Sequence, residues 1–477
     1  MANVKATNMS DGTNTAYFLN ALKVESDMLI LYNEENQLMN STVDLRDLRT
    51  TQSDGEETSV SGDGRQKVYY ANNYITESMA MGNCTSQFNS LIELVYNNGG
   101  GVIKLDGYIY RLSAIYLYSG VYIEGAGMGN TVIKRYISTQ TGEIIDKNDV
   151  GEGFINIRKY SCNTGLRNLT LYTDHTDNYD TEDMVNYIEP DRDESIIHGI
   201  LFEDCENANS SSNGSFNVVD SLELSNDPGS IIPNDENKEE RVRKYTLIEN
   251  VAIIGFSGYG VYIGENNKEV TLNNVQIISN FKTGIKNYGN DCVFNRIRIK
   301  NNCDDGIDNQ GDGNRFSDIH LSSNGIKKHS GHALICHDAN NNTFINIHLI
   351  DNWCNGMYIQ GNNNIFNGLL INSNGYRSKF SSEGLSMSPK DTFLIHMNNC
   401  QKCILQASIS NYQSIAAPEI PLKMVNSRYN IIDITQAENV ASEKSNINGT
   451  EITDNITNET IFDNIVRYLQ SWNMEVN

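Results

Sequence analysis

The run Cys303-Asp304-Asp305-Gly306-Ile307-Asp308 puts two adjacent carboxylates in a turn stopped by glycine, with a third at the start of the next apolar stretch. Carboxylates held a few ångströms apart drive each other's proton affinities apart, which supplies an acid and a base from one residue type. Glycosidic bond hydrolysis needs that pair: an acid at the leaving oxygen and a carboxylate for water or the anomeric carbon. One repeat earlier the chain carries Lys282 and Thr283, and one repeat later Lys327-Lys328-His329-Ser330-Gly331-His332. Trp353, Asn355 and Tyr358 follow. With repeats stacked about 4.8 Å apart, these residues converge on one lateral patch. The reading assigns Asp304, Asp305 and His332 as catalytic, with Lys282, Asp308, His329, Trp353 and Tyr358 binding substrate. The competing reading is a plain solvated turn, where aspartate is common.

Asp351 and Glu383 are isolated further candidates. Arg298, His320 and His348 form a second outward column, which suits a polar surface or a subunit interface better than a metal centre. The acidic run 172–195 has the oxygen ligands calcium uses, but no EF-hand spacing and no central glycine, and reads as a solvated loop. No cofactor is expected.

The positioning elements are repeats. Hexamers of alternating apolar residues start at Ile248, Leu272, Phe294, Phe316, Phe344 and Phe366, separated by 24, 22, 22, 28 and 22 residues. Four copies are followed at a fixed offset by a short strand opened by Gly260, Gly284, Gly306 or Gly356. No unit can bury its own apolar face, whereas stacking buries all of them. Strands at about 22 residues per coil predict a parallel β-helix. Asn314, Asn342 and Asn364 lie two residues before the phenylalanines, so amides are expected to bond from coil to coil while the rings stack inside.

Before the coils, Thr85 to Val95 is amphipathic and ends at Gly99-Gly100-Gly101, which predicts a helix covering the open end of the solenoid. Phe18 to Leu38 and Thr457 to Trp472 also show rough apolar faces and are expected to be helical. The domain reading is an N-terminal docking or assembly segment over 1–75, the β-helix over 76–440, and a C-terminal cap or trimerisation segment over 441–477.

With 36 Lys and Arg against 60 Asp and Glu, the net charge is −24, which argues against a nucleic-acid partner. Nine cysteines, including Cys400-x-x-Cys403, lack zinc-ribbon spacing and are expected to be buried thiols. The N-terminus lacks a basic segment followed by an apolar run, so neither a signal peptide nor a membrane span is expected.

The helix, the glycine run, GVIKLDGYIYRL and SGVYIEGAGMGNTVIK resemble the opening of the pectate-lyase-like right-handed parallel β-helix superfamily. That superfamily includes pectin-degrading enzymes and bacteriophage tailspikes and tail appendages. The order of Asp304-Asp305 and Gly331-His332-Ala333 is also similar to part of the family 28 glycoside hydrolases. It differs from them in Ala333, in lacking an Asn-Thr-Asp one coil earlier, and in placing Arg298-Ile299-Lys300 upstream. The resemblance implies a homotrimeric phage tail appendage in the virion, made without export, that binds and depolymerises a bacterial surface glycan such as capsule, exopolysaccharide or teichoic acid. Its N-terminal segment would then meet other tail proteins. A non-catalytic receptor-binding β-helix and a cellular polysaccharide hydrolase or lyase are the alternatives.

Overall fold

The computed structural model describes residues 67–136, 152–158, 161–173, 196–203, 245–325, 332–352, 355–372, 393–410 and 420–436, together with the backbones of five further strands. The chain forms two compact units, Met1–Arg65 and Gln66–Asn477. In the first, Ala21–Glu25 pairs antiparallel with Met28–Tyr32, which pairs in turn with Val43–Asp44. The helix expected from Phe18 to Leu38 is therefore corrected to strands. Leu22 and Val24 alternate with polar neighbours, and β-branched Val24 and Ile30 favour extended backbone.

The second unit is a parallel β-helix. Each coil gives a long strand to a first sheet and a short strand to a second, and coil follows coil in parallel register. The first sheet runs through Thr246–Ile254, Val270–Ile278, Val293–Lys300, Arg315–Ser322, Thr343–Ile350 and Ile365–Asn372. The second runs through Val261–Ile263, Ile285–Asn287, Ile307–Asn309, His332–Cys336 and Asn355–Asn362. The first sheet begins at Val68–Tyr70, inside the segment assigned to docking, and both sheets continue past residue 440 through Thr450–Thr453 and Ile465–Gln470. The helix expected from Thr457 to Trp472 is thus corrected: Ile465–Gln470 pairs with Ile431–Gln436. An exposed strand edge rewards extended backbone, and the β-branched pair Ile465-Val466 suits it.

Register accounts for the core. Phe294, Phe316, Phe344 and Phe366 are mutual partners, fully buried, with ring centroids 4.4, 4.6 and 4.5 Å apart and planes within 7° of parallel. The expected amide ladder is present: Asn314 N donates to Asn342 Oδ1 at 2.8 Å and Asn342 N to Asn364 Oδ1 at 2.9 Å. A second ladder joins the buried Asn280, Asn302, Asn324 and Asn352, each Nδ2 donating to the next Oδ1 at 3.0, 2.9 and 3.1 Å. Buried amides that satisfy each other fix the turn without exposing it to water.

The third hexamer position is a left-handed corner. Asn168, Asn250, Asn274, Arg296, Asp318 and Asn346 all have φ between 52° and 57°, and Gly368 completes the column at 71°. Asparagine, aspartate and glycine tolerate that conformation best. The corner bends each long strand, and pairing runs on either side of it.

Thr85–Asn97 is helical and buries Phe88, Leu91, Ile92 and Val95 over the first coil. At its start Asn83 Oδ1 accepts from Thr85 N at 3.1 Å, while Thr85 Oγ1 accepts from Ser113 N at 2.7 Å and ties the helix to the coil. Cys84, Cys292, Cys303, Cys336, Cys400 and Cys403 are buried free thiols, and Cys162 is half-buried. Burial pushes the Cys292 thiol up to about 12, far from reactive thiolate.

Candidate functional site

The opening glycines of the second sheet set the site's geometry. A Cβ on Gly284 would lie 2.5 Å from the Ile299 side chain and 2.8 Å from the Gly306 carbonyl, so the turn presses directly on the core and on the next coil. The residue just before this glycine is therefore held at the rim, and its equivalents stack. Register makes that column His198, Tyr259, Thr283, Asp305, His332 and Asn355, with Ala333 in the glycine's place. Of the six extra residues in the 28-residue coil, five fall before His332 and one between Cys336 and Thr343, and the strands on either side keep register.

Asp305 and His332 are consecutive members. Asp305 Oδ1 accepts from His332 N at 2.6 Å, and Thr283 Oγ1 donates to Asp305 Oδ2 at 3.5 Å. Asn355 Nδ2 lies 3.4 Å from His332 Nε2. Asp305 is only 1 % exposed, which does not fit the competing reading of a plain solvated turn: its carboxylate is bonded inward and positions the coil above. Asp304 is half-buried and lies in register with Lys282, one coil earlier.

The first outward column of the second sheet comprises Tyr262, Lys286, Asp308, Ile335, Tyr358 and His396. Lys286 Nζ and Asp308 Oδ2 form a part-buried ion pair, and Gln310 Nε2 donates to Asp308 Oδ1 at 3.3 Å. Burial pulls the Lys286 ammonium down, but the Asp308 carboxylate and then Tyr288 outweigh it, so its proton affinity stands above the ordinary lysine value. Tyr358 sits among His332, His337 and His396, at ring distances of 5.6, 6.1 and 5.1 Å. Its hydroxyl donates to Gln360 Oε1 at 2.7 Å and accepts from Asn398 Nδ2 at 3.0 Å.

At the other end, Lys282 Nζ stands 5.3 Å from the centre of the Tyr259 ring, and His198 stacks on Tyr259 and Tyr262 at 5.0 and 5.5 Å. His198 is nearly fully buried, and burial, then Lys282, push it down to about 3. Its Nδ1 accepts from Tyr259 N at 3.0 Å.

Six of the eight assigned residues are therefore placed on one face: Asp304, Asp305, His332, Lys282, Asp308 and Tyr358. His329 and Trp353 lie outside the described residues, as does Glu383. Asp351 occupies a left-handed turn position, φ 53°, equivalent to Ser279, Asn301 and Ser323, which accounts for it as a turn residue. His198, Tyr259, Tyr288, Lys286, His337 and His396 were missed. Tyr259 was legible from the glycine offset. His198 was hidden because the segment 204–244 separates it from the regular repeats. Among the described residues no cluster of three or more His, Cys, Asp or Glu can hold a metal, and no helix is long and apolar enough to cross a membrane.

Residues 108–308, less than half of the chain, match the family described as rhamnogalacturonase A/epimerase, pectate lyase-like. Among solved structures, the chain is similar to the enzymatically active domain of tailspike protein 2 of bacteriophage CBA120, with 14 % identity, TM-score 0.55, and coverage of 87 % of this chain and 50 % of that one. Full-length tailspike protein 2 from the Escherichia coli O157:H7 bacteriophage CAB120 gives 14 % identity, TM-score 0.54, and coverage of 90 % and 59 %. The A-module of the Azotobacter vinelandii mannuronan C-5 epimerase AlgE6 gives 14 % identity, TM-score 0.49, and coverage of 85 % and 99 %. No curated protein matches by sequence. The chain spans half to three-fifths of the length of these two tailspike chains. At this identity the likeness to the two tailspike structures establishes the fold alone, a parallel β-helix.

Proposed function

We propose that this protein is a phage tail appendage that binds a bacterial surface glycan and cleaves it by hydrolysis on the outer face of its second sheet. The observation that carries the reading is the clustering of Asp304, Lys282 and the Lys286–Asp308 pair on two adjacent coils, flanked on that face by tyrosine and histidine rings. In this reading Asp304, half-buried and at the rim, protonates the leaving oxygen. Asp308, paired with Lys286, serves water or the anomeric carbon. Asp305 and His332 are positioning residues, because Asp305 spends its carboxylate on the His332 backbone and on Thr283. Lys282 and Tyr358 bind hydroxyl or acidic groups, and Tyr262 and Tyr288, 5.8 Å apart, offer ring faces to sugar. Homotrimerisation, residence in the virion, docking through residues 1–75 and a trimerising role for 441–477 belong to the same proposal, supported by the kinds of protein that share the fold.

The test is chain length and end-group analysis of purified capsule, exopolysaccharide and teichoic acid after incubation with the protein. Shortened chains with saturated ends are expected. Unsaturated ends would make the protein a lyase. Binding of a glycan whose length never changes would make it a receptor-binding β-helix without catalysis.

A further inference from the structure

The outer face of the first sheet carries a feature the proposed catalytic face does not use. Downstream of the left-handed corner, the strands Val270–Ile278, Val293–Lys300, Arg315–Ser322 and Thr343–Ile350 line a depression of about 720 Å³. Its lining includes Arg296, Arg298, Lys300, His320 and His348, against a single carboxylate, Asp318. Asp318 is engaged by the Asn346 amide, whose Nδ2 donates to Asp318 Oδ1 at 2.6 Å. Among the described residues neither Arg298 nor Lys300 has an ion pair, and both are exposed. Arg298, His320 and His348 are register partners on successive coils, so cationic or protonatable groups recur at the coil spacing of about 4.8 Å along the helix axis. His320 is held below the ordinary imidazole range, by burial first and then by His348, Arg298 and Lys300, which reports a positive local field. All this sits on a chain of net charge −24.

A positive trough on an acidic protein selects an anion by charge complementarity. Its lining joins guanidinium, ammonium, imidazole and amide groups to Ser322 and to Ile278, Ile299 and Ile319 beneath them, without the aromatic and methionine anchors of a protein–protein core, where lysine is depleted. We propose that this trough is a second, non-catalytic binding site for an acidic linear saccharide, lying along the coil axis with its carboxylate, sulfate or phosphate groups on Arg298, Lys300 and His320. The site is separate from the proposed catalytic face and stands or falls independently of it.

The test is calorimetric titration of the full chain with oligogalacturonate, a sulfated oligosaccharide, a glycerol-phosphate oligomer and uncharged dextrin. At least one anionic probe is expected to bind, with affinity falling as salt rises, and dextrin is expected not to bind. The double variant Arg298→Gln/Lys300→Gln should weaken that affinity about tenfold at an unchanged melting temperature, since both side chains are exposed. Lys104→Gln, an exposed lysine on the distant strand Gly101–Lys104, should leave it within about twofold. Failure of all three anionic probes, equal binding of dextrin, or a loss confined to Lys104→Gln would overturn the proposal. So would a double variant that sediments at a lower oligomeric state than the parent, since the trough would then be an interface between copies.

Discussion

Asp304 and Asp305 are neighbours in sequence with opposite circumstances. One faces the rim, and the other is buried and bonded to the coil above. Removing Asp305 should therefore be felt in stability before anything else. Asp305→Ala leaves the His332 N–H without its acceptor and is expected to cost about 1–3 kcal/mol in chemical denaturation, while Asp305→Asn, which keeps an oxygen acceptor, should recover much of it. A neutral Asp305→Ala would mean that the turn is held by other contacts. His198 makes a separate prediction about acid. Its folded value of about 3 lies below the ordinary 6.5, so between these values the unfolded chain binds the extra proton and stability falls as pH falls. The contribution is on the order of a few kcal/mol, fully present above about pH 6.5. Unfolding of the parent and of His198→Gln across pH 7 to 4 should show a shallower acid loss in the variant. Parallel curves would contradict the burial of a neutral His198.

At the level of elements, period-two hexamers and the fixed glycine offset made the coils legible, because register forces equivalent residues into columns and each column has one environment. The Asn314 ladder and the phenylalanine stack were readable for that reason. Phe344→Ala should cost about 3–5 kcal/mol, because rings above and below prevent collapse onto the cavity. A loss under about 1 kcal/mol would be inconsistent with the stack. The Asn280 ladder carries an equally regular signal, since asparagine recurs at 280, 302, 324 and 352, and the left-handed corner a nearly regular one, broken by Arg296, but neither column is apolar and so neither stands out in a hydrophobic pattern. The two mistaken helices failed for a different reason. Short apolar runs such as Ile465-Val466 fit either period, and a waiting strand edge decides between them. The proposed catalytic face was half legible: Asp304, Asp308 and Tyr358 follow from the offset, whereas Lys286 and His396 join it only once the outward column is assembled.

As a whole molecule, a solenoid has an open end wherever a coil lacks a successor, and an open strand edge recruits partners. The helix Thr85–Asn97 closes the N-terminal end. The C-terminal strands Thr450–Thr453 and Ile465–Gln470 continue both sheets. Under the proposed tail-appendage role, sedimentation equilibrium at micromolar concentration should give a homotrimer, and a stable monomer would remove that part of the account.

The central claim is that glycan cleavage depends on Asp304. The most direct measurement is the rate of chain shortening by Asp304→Asn on whichever surface glycan the parent degrades, with melting curves as the folding control. The substitution keeps size and turn preference and removes only proton transfer. A rate reduced about 10²–10⁴-fold at an unchanged melting temperature is the predicted result. Cleavage at the parental rate would place the chemistry elsewhere on the molecule.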